Sequence, residues 1–287
     1  MAFHALVTRY GSFALAVPAL IWQVCFLYLP VIFVLSDSFL SGSGSLWQRL
    51  SVEHYAVIVD SLHARVMVRS LVQALVVACS CLLIGYPVTY LCALKARRLK
   101  SIFLFLLMLP FWTNILVHIY AWFFVLERNG LINSILMRLG IIHEPIAFLY
   151  TNAAVTLVMI YSYLPFMVLP LLSALEKFNT TLIEASLDLG ATPTSTFFNI
   201  TLPLTMPAVR TGFFLVFVPV FGEYAIPTLV GGGKSLNVGS MISAYYLEAR
   251  NPALGSAFTV VSSMVILVVV WLLYYLLSGP KRAKEHA

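Results

Sequence analysis

One acid stands deep in a long apolar run: Glu223, in the stretch PVFGEYAIP. A carboxylate at membrane depth costs about 3 kcal/mol or more, so it faces a cavity or a partner. Its chemistry in such a place is the attraction of a cation. Pro219, Gly222 and Pro227 surround it and predict a backbone that departs from a regular helix. Aromatic residues gather beside similar interruptions: Phe111 and Trp112 with Asn114 in PFWTN, then Tyr120, then Tyr161 and Tyr163 in YSYLPF, and Tyr224. Aromatic faces attract organic cations when both are shielded from water, and they also pack between helices and at membrane interfaces. Glu223, Tyr224, Trp112, Phe111, Asn114, Tyr120, Tyr161 and Tyr163 therefore form the candidate path for a small organic cation. The structural alternative for Glu223 is a buried ion pair, or a carboxylate bonded to its own broken helix.

The second cluster is polar. Glu184 to Pro203, EASLDLGATPTSTFFNITLP, forms an island between two apolar segments and reads as a helix–turn–helix. Gly190 can adopt the left-handed conformation that closes a helix. Thr192 stands where an N-cap belongs, with Pro193 at the first position of a second helix. In an otherwise membrane-buried chain, an ordered polar hairpin is most useful as a docking surface. Its candidate residues are Glu184, Ala185, Ser186, Asp188, Gly190, Ile200, Leu202 and Pro203.

The elements that position both clusters follow from composition. Apolar residues make up 61% of the chain and charged residues 10%, far from the balance of a soluble domain. Six runs reach the roughly 20 residues that a membrane helix needs: 12–36, 70–94, 101–125, 150–174, 207–230 and 254–277. Backbone groups in a bilayer must be satisfied internally, so these runs predict helices and an all-α membrane protein. The first run is too long for a signal peptide and lacks a cleavage site, so it is expected to remain. Residues 1–287 read as a single transmembrane domain, with residues 176–208 as a hairpin within it. Gly85-Tyr86-Pro87 is expected to interrupt the second helix and Pro110 the third. Residues 53–68 predict a peripheral helix, and residues 129–139 a short amphipathic one closed by Gly140, with Leu131, Ile132, Ile135, Leu136 and Leu139 on one face. A further external element is expected around 237–250, and Ser41–Ser45 reads as a Gly/Ser-rich loop.

Six crossings put both termini on one side. The termini with the 95–100 and 175–210 loops hold ten basic residues against seven on the other side, which places them in the cytoplasm. The KARRLK run at 95–100 is the densest anchor. The net charge of +6 is read as orientation and contact with anionic lipid, not as nucleic-acid binding. Cys25, Cys79, Cys81 and Cys92 lack metal-ligand spacing and read as small packing residues. Gly233-Lys234-Ser235 resembles the tail of a phosphate-binding loop, but Thr228 occupies the place of its first glycine. The sequons at Asn179 and Asn199 fall in the hairpin and read as chance matches. His118 reads as a packing residue, with a proton relay as its alternative.

In Glu184, Ala185, Gly190, Ile200, Leu202 and Pro203 the hairpin resembles the E-A-A signature of permease subunits of binding-protein-dependent ABC importers, with Ser186 in place of the second alanine. PFWTN, YLPFMVLPL at 163–171, ITLPLTMP and GEYAIPTLVGG at 222–232 narrow the resemblance to the spermidine/putrescine permeases, over roughly residues 65–275. The resemblance implies a type I importer fold in the bacterial inner membrane. It also implies an ATP-binding cassette ATPase dimer docked on the hairpins, a second homologous permease and an external substrate-binding protein. The chain would itself perform no covalent chemistry and bind no cofactor, ATP and Mg residing on the ATPase. Two alternatives remain open: an ABC permease for an opine or amino-acid-derived cation, and a proton- or sodium-coupled secondary transporter using Glu223 and His118.

Overall fold

A computed structural model describes residues 17–40, 51–95, 100–233 and 235–278, and the described secondary structure is dominated by helices. Among the described residues, six helical stretches are long and apolar enough to cross a membrane: Val17–Ser38, Ser61–Leu94, Ile115–Arg138, Asn152–Glu176, Pro193–Phe221 and Pro252–Leu277. In chain order the helices are α1 (Val17–Ser38), α2 (Glu53–Ile58), α3 (Ser61–Tyr90) and α4 (Lys100–Met108). Next come α5 (Ile115–Leu126), α6 (Leu131–Arg138), α7 (Asn152–Glu176) and α8 (Thr181–Asp188). The last are α9 (Pro193–Phe221), α10 (Ala225–Val230), α11 (Val238–Ser243) and α12 (Pro252–Ser278). They group into two compact units, one within residues 1–64 and 242–265, the other within 65–241 and 266–287.

In the first unit, Tyr55 on α2 donates its hydroxyl to Ser38 Oγ at 2.8 Å. His63 Nε2 shares a 2.6 Å hydrogen bond with the Tyr245 hydroxyl, and Phe258 packs against both rings. Tyr246 is tied to Ser256 at 2.6 Å. The element expected around 237–250 is α11, whose residues 238–241 belong to the second unit, followed in the first by a π-helical turn, Ala244–Glu248.

The second unit is organised around α7, and a ladder of polar contacts fixes its register against α3. Arg69 Nη2 donates to Asn152 Oδ1 at 2.6 Å, Gln73 Nε2 to Thr156 Oγ1 at 2.9 Å, and the Cys81 thiol to the Ile160 carbonyl at 3.6 Å. Both residue series ascend together, so α3 and α7 run parallel, as a second and a fourth crossing must. Against α9 the pairing descends. A Cβ on Gly212 would meet the Met167 carbonyl oxygen at 3.0 Å, so this glycine lets two antiparallel backbones approach.

The expected break at Gly85-Tyr86-Pro87 is absent: α3 runs through Pro87 to Tyr90 and then loosens into a π-helical turn, Leu91–Lys95. Gly85 serves packing instead, since a Cβ there would meet Val168 of α7 at 3.3 Å. The second crossing also begins at Ser61 and not at 70, which leaves only Glu53–Ile58 as the separate peripheral helix. The break at Pro110 is present. After α4 a 3-10 turn spans Leu109–Trp112, and α5 restarts with Asn114 as N-cap. The 12 residues of α5 rise only about 18 Å, so the third crossing of a roughly 30 Å core takes in α4 as well. Glu127, extended at ψ 157, separates α5 from α6. Buried Asn133 then clamps the following loop, with its amide and the Ile146 backbone exchanging bonds of 2.9 and 3.0 Å. Gly140 closes α6 at φ 70, and Leu131, Ile135 and Leu139 are exposed along it.

Residues 12–16 of the first expected run, Ser41–Ser45, Lys234, and 96–99 of the basic run lie outside the described residues. Arg210, counted with the hairpin loop, lies inside α9. Cys81 and Cys92 are buried packing residues, whereas Cys25 and Cys79 are exposed.

Candidate functional site

α9 begins in the polar hairpin and ends at Phe221, where Gly222 caps it. The chain then turns through Glu223 and Tyr224 and resumes as α10. The Tyr150 amide donates to the Val230 carbonyl at 3.0 Å, so α10 returns to the level where α7 begins. α9 and α10 together make the fifth crossing, broken midway, as the glycine and prolines around Glu223 predict. The Tyr163 hydroxyl, near the midpoint of α7, donates to Glu223 Oε2. Oε1 accepts from the backbone amides of Tyr224 (3.1 Å), Ala225 (2.9 Å) and Ile226 (3.4 Å). Every one of these contacts is a donor, which suits a carboxylate.

Glu223 opens onto a cavity of about 910 Å³. The break in the third crossing lines it as well, through Thr113, Ile115 and His118. Irregular backbone at membrane depth persists where it is buried in protein or lines a cavity, and here both breaks meet at one. Tyr161, Phe166 and Phe214 supply aromatic wall. Among the described lining residues Glu223 is the one carboxylate, with no lysine or arginine.

Of the candidate path residues, Glu223, Tyr161 and Tyr163 line this cavity. Asn114 does not. Its Oδ1 accepts from the Leu116 amide at 2.8 Å and starts α5. Trp112 is 73% exposed and packs edge-on against Phe105. Tyr120 and Tyr224 are also exposed and lie outside the cavity lining. Phe111 sits in the 3-10 turn, and its side chain is not among those described. His118, read from sequence as packing, stands at the cavity, bonded to Thr113 Oγ1 and beside the Tyr161 ring. A polar residue one helical turn beyond a capping asparagine was the available signal.

The hairpin lies at the opposite end of α7. Gly190 has φ 86. The Ala191 amide donates to the Ser186 carbonyl at 3.1 Å and the Gly190 amide to Leu187 at 2.9 Å, the paired closure of a Schellman turn. The Thr192 hydroxyl accepts from the Ser195 amide at 3.2 Å, ahead of Pro193. Glu184, Ala185, Asp188, Gly190 and Pro203 are exposed; Ser186, Ile200 and Leu202 are half-buried, and Ser186 is bonded across the hairpin to Thr196. Sequence reading missed Leu189, an apolar tip that is 89% exposed. Between hairpin and membrane, α9 contains a π-helical turn, Phe197–Thr201. Phe197 packs edge-on against Tyr86 and Tyr90 of α3, and the Tyr86 hydroxyl shares a 2.8 Å hydrogen bond with Thr205 Oγ1.

The model of the family described as "Binding-protein-dependent transport system inner membrane component" matches residues 85–282. The chain belongs to this family. It is therefore a multi-pass transport component of an inner membrane. It is 36% identical over 256 residues to "Spermidine/putrescine transport system permease protein PotB" of Salmonella typhimurium (strain SL1344), covering 88% of this chain and 89% of that one. The protein of the same name from Haemophilus influenzae is 37% identical over 255 residues, 88% and 89% of the two chains. The fold matches that of a solved "bacterial ABC transporter involved in the import of the acidic polysaccharide alginate", with a TM-score of 0.73 at 18% identity, over 98% of this chain and 100% of that one.

Proposed function

We propose that this chain is the permease subunit of an ATP-driven polyamine importer, one wall of whose pathway is the cavity at Glu223. The observation that carries the cargo is the cavity's charge: one carboxylate, aromatic walls and no lysine or arginine among the described lining residues. An organic cation is stabilised there by the charge and by the ring faces. The relatives' names, spermidine/putrescine permeases over 88% of the chain, narrow the cation to a polyamine.

The hairpin at Glu184–Pro203 docks an ATP-binding cassette ATPase on the cytoplasmic side, where ATP and Mg are bound by that partner and not by this chain. Both termini lie on the same side. A second homologous permease completes the pathway, and an external binding protein delivers the cargo. α9 supports this coupling, because one helix joins the docking turn to the break that holds Glu223. ATPase closure moves the hairpin, α9 carries that motion past the Tyr86–Thr205 tie, and the cavity changes the side to which it opens. Coupling of this kind needs an element with two arrangements that both sites bias. The π-helical turn at Phe197–Thr201 is the natural place for it to flex.

Reconstitution with the ATPase, the second permease and the binding protein tests the reading. ATP-dependent spermidine or putrescine uptake is expected. Uptake without nucleotide, driven by a proton or sodium gradient, would overturn it.

A further inference from the structure

The two oxygens of Glu223 are not equivalent. Oε1 is committed to three backbone amides, while Oε2 receives a single hydroxyl, that of Tyr163. A carboxylate oxygen has two acceptor directions, so Oε2 keeps one for a donor from the cavity. We propose that this free direction of Oε2 is a site for one primary ammonium group, and that Tyr163 is the positioning residue that aims it. The inference rests on the polyamine reading and deepens it.

The surroundings favour an alkylammonium over a metal ion. Calcium takes six to eight oxygen ligands, whereas much of the wall beside Glu223 is carbon: Tyr161, Phe166, Phe214, Leu215 and Val218. The Ser162 hydroxyl, which also lines the cavity, donates to the Val158 carbonyl at 2.8 Å, and the few hydroxyl oxygens there fall short of a calcium shell. An ammonium donates one N–H to Oε2 and lays its alkyl chain along the rings. With one carboxylate among the described lining residues, this chain neutralises one charge of a polycation. The other charges must be met by groups that this cavity does not supply.

The test is equilibrium binding of labelled spermidine to the assembled complex, trapped with ATP and vanadate and without binding protein. Uptake supplied by the binding protein is measured in parallel. Butylammonium should compete with spermidine and neutral butanol should not. Tyr163→Phe keeps the ring and removes the donor, and should weaken binding about 10-fold, the scale of a hydrogen bond to a charged group. Glu223→Gln should lose at least as much, and adding Tyr163→Phe to it should cost nothing further, because the tyrosine acts through the carboxylate. If Tyr163→Phe fails to assemble, Glu223→Asp replaces it, since a shortened carboxylate keeps its charge but recedes from Tyr163. Full-affinity binding by Tyr163→Phe or by the aspartate variant, additive losses in the double variant, or no saturable binding by the wild type would overturn the site. If such a result came with normal ATP-driven polyamine uptake, the site would fail and the transport function would stand.

Discussion

Gly239 lies so close to Glu223 that a Cβ built on it would stand 2.8 Å from the Glu223 carbonyl oxygen, and it would overlap the Gly222 carbonyl oxygen as well. The start of α11 is thus wedged against the break in the fifth crossing. It is pinned there by the Val238 amide, which donates to Ser70 Oγ at 2.9 Å. Gly239→Ala forces backbone against backbone, which costs about 1–3 kcal/mol in a packed interior. The expected outcome is an assembled complex with lower thermal stability and reduced polyamine uptake, because the displaced loop carries Glu223. Wild-type melting and uptake would show that the contact relaxes freely.

Across the hairpin, Ser186 Oγ and Thr196 Oγ1 share a hydrogen bond of 2.9 Å, and Thr196 is buried. Ser186→Ala leaves the Thr196 hydroxyl unpaired, which costs about 1–3 kcal/mol. Replacing both by Ser186→Ala with Thr196→Val removes both polar groups and should be closer to neutral. Hydrogen exchange of amides 187–192 and 194–196 reads the difference: faster in the single variant, near wild type in the double. Equal acceleration in both would assign the cost to lost packing.

The hairpin was legible because its rules are local: Gly190, Thr192 and Pro193 each fix the conformation of their own turn. The break at Glu223 was legible for the same reason. Its partner was not, since Tyr163 stands 60 residues away, and nothing in YSYLPF separates the tyrosine that meets the acid from one that packs. Gly85 misled because a glycine serves a break and a close helix approach equally well, and only the position of Val168 tells them apart. The aromatic residues Trp112, Tyr120 and Tyr224 face outward, as membrane-surface aromatics do, and sequence alone does not give the face. The second crossing starts ahead of the apolar run because Arg69, polar by type and just before that run, gives its guanidinium to Asn152 of the neighbouring helix.

The orientation is tested by labelling. In a background without Cys25 and Cys79, the exposed native thiols, a cysteine at Ser101 should be protected from external membrane-impermeant reagent and one at Leu236 should react. Both positions are exposed, so the contrast reports sidedness and not burial. The reverse pattern would move the hairpin outside and remove the ATPase docking role.

Gly190 carries the last prediction. At φ 86 an L side chain is strained by about 1–2 kcal/mol, and no other atom crowds its open face. Gly190→Ala should therefore loosen the hairpin modestly and keep coupled uptake. Gly190→Pro is a different change. Proline holds φ near −65° and has no N–H, so it removes the bond to Leu187 and cannot close the turn. The arm that starts α9 at Pro193 then loses its fixed angle to α8, and with it the path from ATPase to cavity. ATP hydrolysis measured together with polyamine uptake should separate in Gly190→Pro, with hydrolysis retained or reduced and uptake lost, in a chain still inserted in the membrane. Coupled uptake at the wild-type ratio in that variant would mean that the turn is dispensable and that docking is carried by other residues.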